Sequence, residues 1–179
     1  MRFPSLVVIM ITVMPLAPLV AQGGDPISQA IQEAWAGAKL NITESAQQIP
    51  EDGYGFRPVE TVRTFGQILA HIAGANYLFC AAAKGEKSPY AEDHFEKTTK
   101  TRAEIVKALD DSLVYCDAAY IGLTDRKAAE MIASPFGGGK IARAAALMSN
   151  TGHLQEHYGN LVTYFRIKGM VPPSSRRAQ

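Results

Sequence analysis

The stretch that decides the fold is His153-Leu-Gln-Glu-His157-Tyr-Gly-Asn-Leu-Val-Thr-Tyr-Phe-Arg166, which carries two patterns at helical spacing. Mainly apolar residues recur every three or four positions from about 141 to 168, which predicts a long helix with one face in a core. A polar stripe lies one position away and contains His153 and His157. Four residues separate these imidazoles, so both lie on one helix face within reach of a single metal ion.

Three further helices are predicted upstream at the same periodicity, at about 26–47, 64–83 and 94–120. Thr64 and Gln67 have the spacing of a capping box at the start of the second helix, and a short helical turn is expected at about 125–132. No segment has the alternating pattern that is typical of a strand. The sequence therefore predicts an all-α four-helix bundle.

The N-terminus has the pattern of a cleavable signal peptide. Arg2 precedes an uncharged stretch from Phe3 to Val20, and Ala21 provides a small residue before a polar segment. An uncleaved membrane anchor is the alternative, but prolines interrupt the apolar run near its end. We expect a signal peptide at 1–21, one domain at 22–173 and a disordered tail at 174–179. The mature protein would be exported, periplasmic or secreted, with no stable membrane span.

Charge and loop composition exclude two classes of function. The chain has 18 Lys and Arg residues against 17 Asp and Glu residues, and this balance argues against a nucleic-acid partner. The glycine-rich segment 134–139 lacks the spacing of a phosphate-binding loop and follows no apolar strand. We interpret it as a flexible turn before the last helix.

A third histidine, His71, lies in the predicted second helix, one position from the apolar seam at Ile72. Antiparallel packing would bring it opposite His153 in the last helix. A lone inward-facing histidine is more often a hydrogen-bonded core residue, and the spacing of His153 and His157 can arise by chance on a surface. His94 has no partner at ligand spacing and is predicted to lie on the surface.

Three segments together resemble the DinB/YfiT-like superfamily: Tyr54-Gly-Phe-Arg-Pro58, Thr64-Phe-Gly-Gln-Ile-Leu-Ala-His71 and the stretch from His153 to Arg166. The resemblance covers essentially the whole mature chain. It implies a four-helix bundle with up-down-down-up connectivity and a mononuclear metal site formed by His71, His153 and His157. The implied topology also places Cys80 and Cys116 at the same end of the bundle. A disulfide is then allowed by geometry, with two buried free thiols as the alternative.

The resemblance further implies a metal-dependent enzyme of the thiol S-transferase type. Three imidazoles leave one coordination position open for water or substrate, so hydrolysis of an unknown small molecule is also compatible. Export argues against thiol chemistry, since small thiols are mainly cytoplasmic. Zinc or nickel is the expected single divalent ion, although imidazoles also suit copper and iron. A homodimer through an outer helix face is compatible with a bundle.

Two other functions stay open. The letters from His153 to His157 fit the HxxEH pattern of inverzincin proteases, with Glu156 as general base. That class requires an acidic third ligand further along the chain, and no Asp, Glu or His follows His157. The second alternative is a non-catalytic bundle in which the ion only ties two helices together.

Overall fold

The computed structural model describes residues 24–178, which are mainly helical. The helices are α1 (Pro26–Gln48), α2 (Phe65–Lys84), α3 (His94–Thr98), α4 (Arg102–Tyr120), α5 (Asp125–Ala128), α6 (Arg143–Ile167) and α7 (Pro173–Arg177). The strands are β1 (Met131–Ala133) and β2 (Lys140–Ala142), and a 3₁₀ turn spans Glu51–Gly55. The expected signal peptide at 1–21 lies outside the described residues. Of the helices in the described part, none combines the length and apolar character needed to span a bilayer.

The four long helices α1, α2, α4 and α6 share one hydrophobic core. Helix α2 packs against α4 and α6, and α1 packs against α6 and α4. Burial of apolar side chains at these contacts is the main stabilising contribution. All four long helices contribute completely buried apolar side chains, among them Ile42, Phe65, Ile72, Leu109, Leu154, Leu161 and Phe165. The packing sets α2 and α6, the two helices that carry the histidine cluster, side by side.

Both ends of α2 follow the signals in the sequence. The backbone N–H of Gln67 donates to Thr64 Oγ1 at 3.2 Å, and the N–H of Thr64 donates to Gln67 Oε1 at 2.8 Å. This reciprocal capping box satisfies two backbone donors that the first turn leaves without partners. At the other end, Gly85 adopts a φ of 76°, the left-handed conformation that commonly ends a helix. Helix α2 is therefore fixed in position at both ends.

The prediction of one continuous helix at 94–120 is wrong, because the structure divides it into α3 and α4. Thr101 Oγ1 accepts from the Glu104 N–H at 3.2 Å, and Glu104 Oε2 accepts from the Thr101 N–H at 3.0 Å. This second capping box starts a new helix at Arg102 and separates it from the preceding turn. The short helix α3 thus belongs to the α2–α4 linker, defined here as residues 85–101.

A small hairpin replaces the expected irregular connection before α6. The helical turn predicted at 125–132 ends at Ala128, and β1 pairs antiparallel with β2. The expectation of no strand is therefore wrong. The sequence did not reveal β1 and β2 because strands of three residues are too short to show an alternating pattern. The turn predicted at 134–139 connects the two strands, and its three glycines have positive φ angles. Helix α6 begins at Arg143, two residues later than expected.

The C-terminal segment, expected to be disordered from residue 174, instead folds back onto the bundle through residue 177. It forms α7, and the Tyr158 hydroxyl donates to Ser174 Oγ at 2.8 Å. Arg177 pairs with Glu44 of α1. The prediction missed these contacts because they join residues that are distant in sequence.

Cys80 of α2 and Cys116 of α4 form a disulfide, with their Cα atoms 5.3 Å apart. Both residues are completely buried near the C-terminal ends of their helices. The side-chain amide of Asn150 in α6 lies 3.5 Å from one sulfur and 3.6 Å from the other. The disulfide therefore lies inside the core between α2, α4 and α6, and the alternative of two free thiols does not hold in this structure.

Candidate metal centre

The structure brings His71, His153 and His157 together, as the sequence predicts. The Nε2 atom of His153 lies 3.1 Å from Nε2 of His71 and 3.1 Å from Nε2 of His157. One ring nitrogen from each residue lies within 4.8 Å of the other two. His71 and His157 are buried and His153 is half-buried. Two helices thus direct three nitrogen atoms towards one point.

These distances suit a bound metal better than a hydrogen-bonded cluster. Ligand nitrogens about 2.0–2.1 Å from a tetrahedral zinc ion lie about 3.3 Å from one another, close to the separations seen here. A neutral imidazole nitrogen offers either one proton or one lone pair in the ring plane. Nε2 of His153 therefore cannot form two good hydrogen bonds with His71 and His157 at once. A cation at the shared point satisfies all three nitrogens.

The electrostatics of the site keep the α6 histidines neutral. Burial, with smaller contributions from the neighbouring rings of His157 and His71, lowers the pKa of His153 to about 3. Burial, followed by the charge of His71, lowers the pKa of His157 to about 4. Because metal ligands must be unprotonated, both imidazoles are ready to bind an ion at neutral pH.

Glu96 of α3 holds His71 in place. One of its carboxylate oxygens lies 2.9 Å from Nδ1 of His71, and Arg63 Nε donates to the other oxygen at 2.8 Å. A carboxylate at this position stabilises the tautomer with a proton on Nδ1, which leaves the Nε2 lone pair free for a metal. The Tyr164 hydroxyl in turn donates to the backbone carbonyl of Arg63 at 2.8 Å. A chain of contacts therefore connects α6 to α2 behind the histidines.

The Nδ1 atoms of the two α6 histidines have fewer hydrogen-bond partners than Nδ1 of His71 has. The side-chain amide nitrogen of Asn160 lies 3.4 Å from Nδ1 of His157, and a flip of the amide would bring its oxygen there to accept from a protonated Nδ1. Nδ1 of His153 is buried and has no hydrogen-bond partner among the described residues. His94 lies outside the cluster, half-buried, with its ring stacked on Tyr90 at 4.8 Å. His94 is therefore less exposed than the predicted surface position implies.

A cleft of about 530 Å³ lies beside His157, between α6 and the segment that leads into α2. Its lining includes the polar residues Arg63, Glu156, Asn160 and Tyr164. On the other side of the cluster, the ring of Phe79 lies 6.0 Å from that of His153. The site thus has one polar open side, where a small molecule can reach the histidines, and one aromatic side.

Sequence reasoning missed Glu96 and Arg63 as residues of this site. Glu96 lies two residues after His94, which is predicted to lie on the surface, and Arg63 lies in a loop. Neither stands at a ligand spacing from a histidine, and their contacts depend on how the linker folds back onto α2. The only signal in the sequence was the cluster of acidic residues near His94.

Comparisons with known proteins agree with this fold. The family model described as the DinB superfamily matches residues 37–161. A DinB-like protein from Bacillus cereus ATCC 10987 is 14% identical, with a TM-score of 0.67 over 81% of this chain and 95% of that chain. A DinB-like protein from Bacillus subtilis is 22% identical, with a TM-score of 0.60 over 79% of this chain and 94% of its own.

A more distant structural neighbour is a mycothiol-dependent maleylpyruvate isomerase. It is 13% identical, with a TM-score of 0.60, and the alignment covers 75% of this chain and 60% of the isomerase. Among curated proteins, none matches the sequence. At such low identity the structural neighbours establish the fold alone, whereas the family model matches well over half of the chain. The chain therefore belongs to the DinB superfamily.

Proposed function

We propose that this chain is an exported metalloenzyme that binds one divalent ion, zinc or nickel, through His71, His153 and His157. The observation that carries the proposal is the convergence of three Nε2 atoms, with separations of 3.1 Å at His153. Three neutral ligands leave a coordination position open, which distinguishes catalytic zinc sites from closed structural ones. The cleft beside His157 offers room for a small-molecule substrate at that open side.

We further propose the up-down-down-up order for the four long helices. The disulfide between Cys80 and Cys116 supports it, since each cysteine lies near the C-terminal end of its helix. One turn earlier in both helices, the Asn76 amide donates to Ser112 Oγ at 3.0 Å. Two contacts with the same spacing along both helices are expected when α2 and α4 run parallel.

The export proposal rests on the signal-peptide pattern at 1–21 and gains support from the disulfide. Disulfides persist in oxidising compartments and are rare in the cytosol. The pair Cys80 and Cys116 accounts for every cysteine in the sequence. Mass spectrometry of the N-terminus of the protein recovered from a periplasmic fraction tests this directly. Recovery of the intact N-terminus from the cytoplasm would contradict it.

The chemistry proposed for the site is activation of water or of a thiol. A divalent ion with three neutral ligands supplies Lewis acidity at an open position. Glu156 lies on the cleft beside His157 and is placed to accept a proton from a substrate. Arg63 also lines the cleft and can orient a negatively charged group. The structural likeness to a mycothiol-dependent isomerase supports thiol chemistry, whereas export favours hydrolysis.

The protease alternative loses support. In the part of the chain that the structure describes, the residue that completes the cluster is His71 from α2, not an acidic residue that follows His157. Glu156 still lines the cleft, so its role as a proton acceptor does not depend on that alternative.

Elemental analysis of protein purified from its own compartment tests the metal proposal. We expect about one zinc or nickel ion per chain, because three ligands converge on one point. His71→Ala should lose the metal, whereas the matched control His94→Ala should retain it. A metal-free wild type, or a His71→Ala variant with undiminished metal, would contradict the proposal. A screen of thiol transfer and hydrolysis with His71→Ala as control then identifies the reaction.

A structural role for the ion is the second candidate, favoured by the position of the cluster between α2 and α6. Metal binding to such a site contributes folding free energy. This role predicts a large fall in melting temperature on chelation and no turnover in either screen. The catalytic proposal predicts turnover that disappears in His71→Ala and in Glu156→Gln, while Glu156→Gln retains the metal.

A further inference from the structure

We propose that Gly74 allows the α2–α4 linker to lie directly on α2, and that this contact holds Glu96 against His71 for metal binding. Glu96 is then a positioning residue that acts through His71, and Gly74 is the residue that permits its position. The inference rests on the proposed metal site. It assigns a specific role to two residues and a linker outside the three ligands.

The linker and α2 touch at Gly74 without room for a side chain. A Cβ atom added to Gly74 would lie 1.8 Å from the carbonyl oxygen of Glu92 and 2.8 Å from its carbonyl carbon. Both are backbone atoms, so no side-chain rotation relieves the clash. Glycine inside a helix costs about 1 kcal/mol relative to alanine, and α2 accepts this cost at a completely buried turn. By contrast, Gly37 of α1 has no described atom within 4 Å of its added Cβ.

The Gly74–Glu92 contact lies close in sequence to the Glu96–His71 contact on both chain segments. Gly74 follows His71 by three residues, and Glu96 follows Glu92 by four. Beyond Gly74, the Tyr77 ring of α2 packs on Tyr90 of the linker at 4.9 Å. The linker is thus held against α2 on both sides of Gly74, by Glu96 at His71 and by Tyr90 at Tyr77.

The expected displacement is large enough to break the Glu96–His71 contact. Carbon atoms of side chains essentially never approach within 3.0 Å of a neighbour, so Gly74→Ala requires a shift of about 1.2 Å or more. A shift of that size would lengthen the 2.9 Å contact beyond hydrogen-bond range. His71 would then lose the partner that fixes its ring and its tautomer. Loss of such a partner typically weakens metal binding 10- to 100-fold.

Zinc titration of the mature chain against a chromophoric competitor tests the inference. Glu96→Gln and Gly74→Ala should each weaken zinc binding about 10- to 100-fold. The double variant should bind no more weakly than Gly74→Ala alone, because both changes remove the same contact. Gly37→Ala is the matched control and should bind zinc as the wild type does.

If Glu96→Gln binds zinc with wild-type affinity, the role of Glu96 is overturned. If the loss of zinc affinity in the double variant equals the product of the two single losses, the role of Gly74 is overturned. Where Gly74→Ala fails to fold, Tyr90→Ala loosens the linker without adding bulk. Tyr90→Ala should weaken zinc binding less than Glu96→Gln does. Added to Glu96→Gln, it should weaken zinc binding no further. The visible spectrum of the cobalt-loaded protein should change in Glu96→Gln, which a purely structural role would not cause.

The proposed metal site fails separately. If the wild type binds no zinc, or if His71→Ala binds it equally well, the three-histidine site itself is wrong. If His71→Ala loses zinc while Glu96→Gln does not, the site stands and the present inference falls.

Discussion

The metal-free protein should become less stable as the pH falls from 7 to 5, because two buried histidines resist protonation. The pKa values of His153 and His157 are lowered from 6.5 to about 3 and about 4 in the folded protein, mainly by burial. Between these values and 6.5, the unfolded chain binds more protons than the folded chain. Stability therefore rises with pH through this range and is lost as the pH falls below 6.5.

The size of the loss follows from the two shifts. At pH 5 an unfolded histidine with a pKa of 6.5 is almost fully protonated, 1.5 pH units below its pKa, while His153 and His157 in the folded chain are almost neutral. Each histidine then favours unfolding by about 2 kcal/mol at pH 5. The pair together should lower the free energy of unfolding by about 4 kcal/mol relative to neutral pH, with little further contribution above pH 7.

Urea unfolding in the presence of a chelator, followed by circular dichroism at pH 7, 6 and 5, measures this loss. A double variant, His153→Phe with His157→Leu, removes both titrating groups and should flatten the pH dependence by the same amount. His94→Ala, a histidine outside the cluster, should leave the dependence unchanged. A wild-type fall below about 1 kcal/mol, or an equal fall in the double variant, would refute the reasoning.

Three further predictions concern stability. Reduction of the disulfide, or replacement of Cys80 and Cys116 by alanine, should lower the free energy of unfolding by about 4 kcal/mol, because the bridge closes a loop of 36 residues. Urea unfolding with and without reductant checks this, and equal midpoints would contradict it. Tyr120→Phe should cost about 1–3 kcal/mol, because the buried hydroxyl donates to the Leu147 carbonyl at 2.8 Å; an unchanged melting curve would argue against that contribution. Gly37→Ala should stabilise the protein by about 0.5–1 kcal/mol in thermal unfolding, because a helical glycine is replaced where there is space for a methyl group. A lower melting temperature would contradict this.

The ends of the helices were predictable where residues close in sequence determine them. They were less predictable where contacts between distant segments determine them. The capping box at Thr64 and the glycine at 85 lie within a few residues of the helix ends that they determine. The break before α4 was missed, although Thr101 and Glu104 form the same kind of box. Continuous helical periodicity on both sides of the break concealed it. The hairpin and α7 were missed because short elements carry too few residues for a periodic pattern.

The grouping of the three histidines was predictable, and the residues that hold them in place were not. His153 and His157 share a helix, so their geometry follows from spacing alone. His71 could be placed only by assuming how α2 packs, and the family resemblance supplied that assumption. Glu96 reaches His71 through the fold of the α2–α4 linker, a contact that no spacing in the sequence encodes. The clash at Gly74 likewise exists only once α2 and the linker touch.

The three histidines lie on two helices, and His71 and His153 are 82 positions apart in the sequence. In a chain that crosses a membrane unfolded, only His153 and His157 are close together, because they are neighbours in sequence. Two histidines are too few for a stable metal site. The third ligand arrives when α2 docks, and that happens after translocation if the chain is exported as proposed. Metal loading would then draw on the ions of the receiving compartment, so the identity of the bound metal would reflect supply outside the cytoplasm rather than the cell's internal metal delivery.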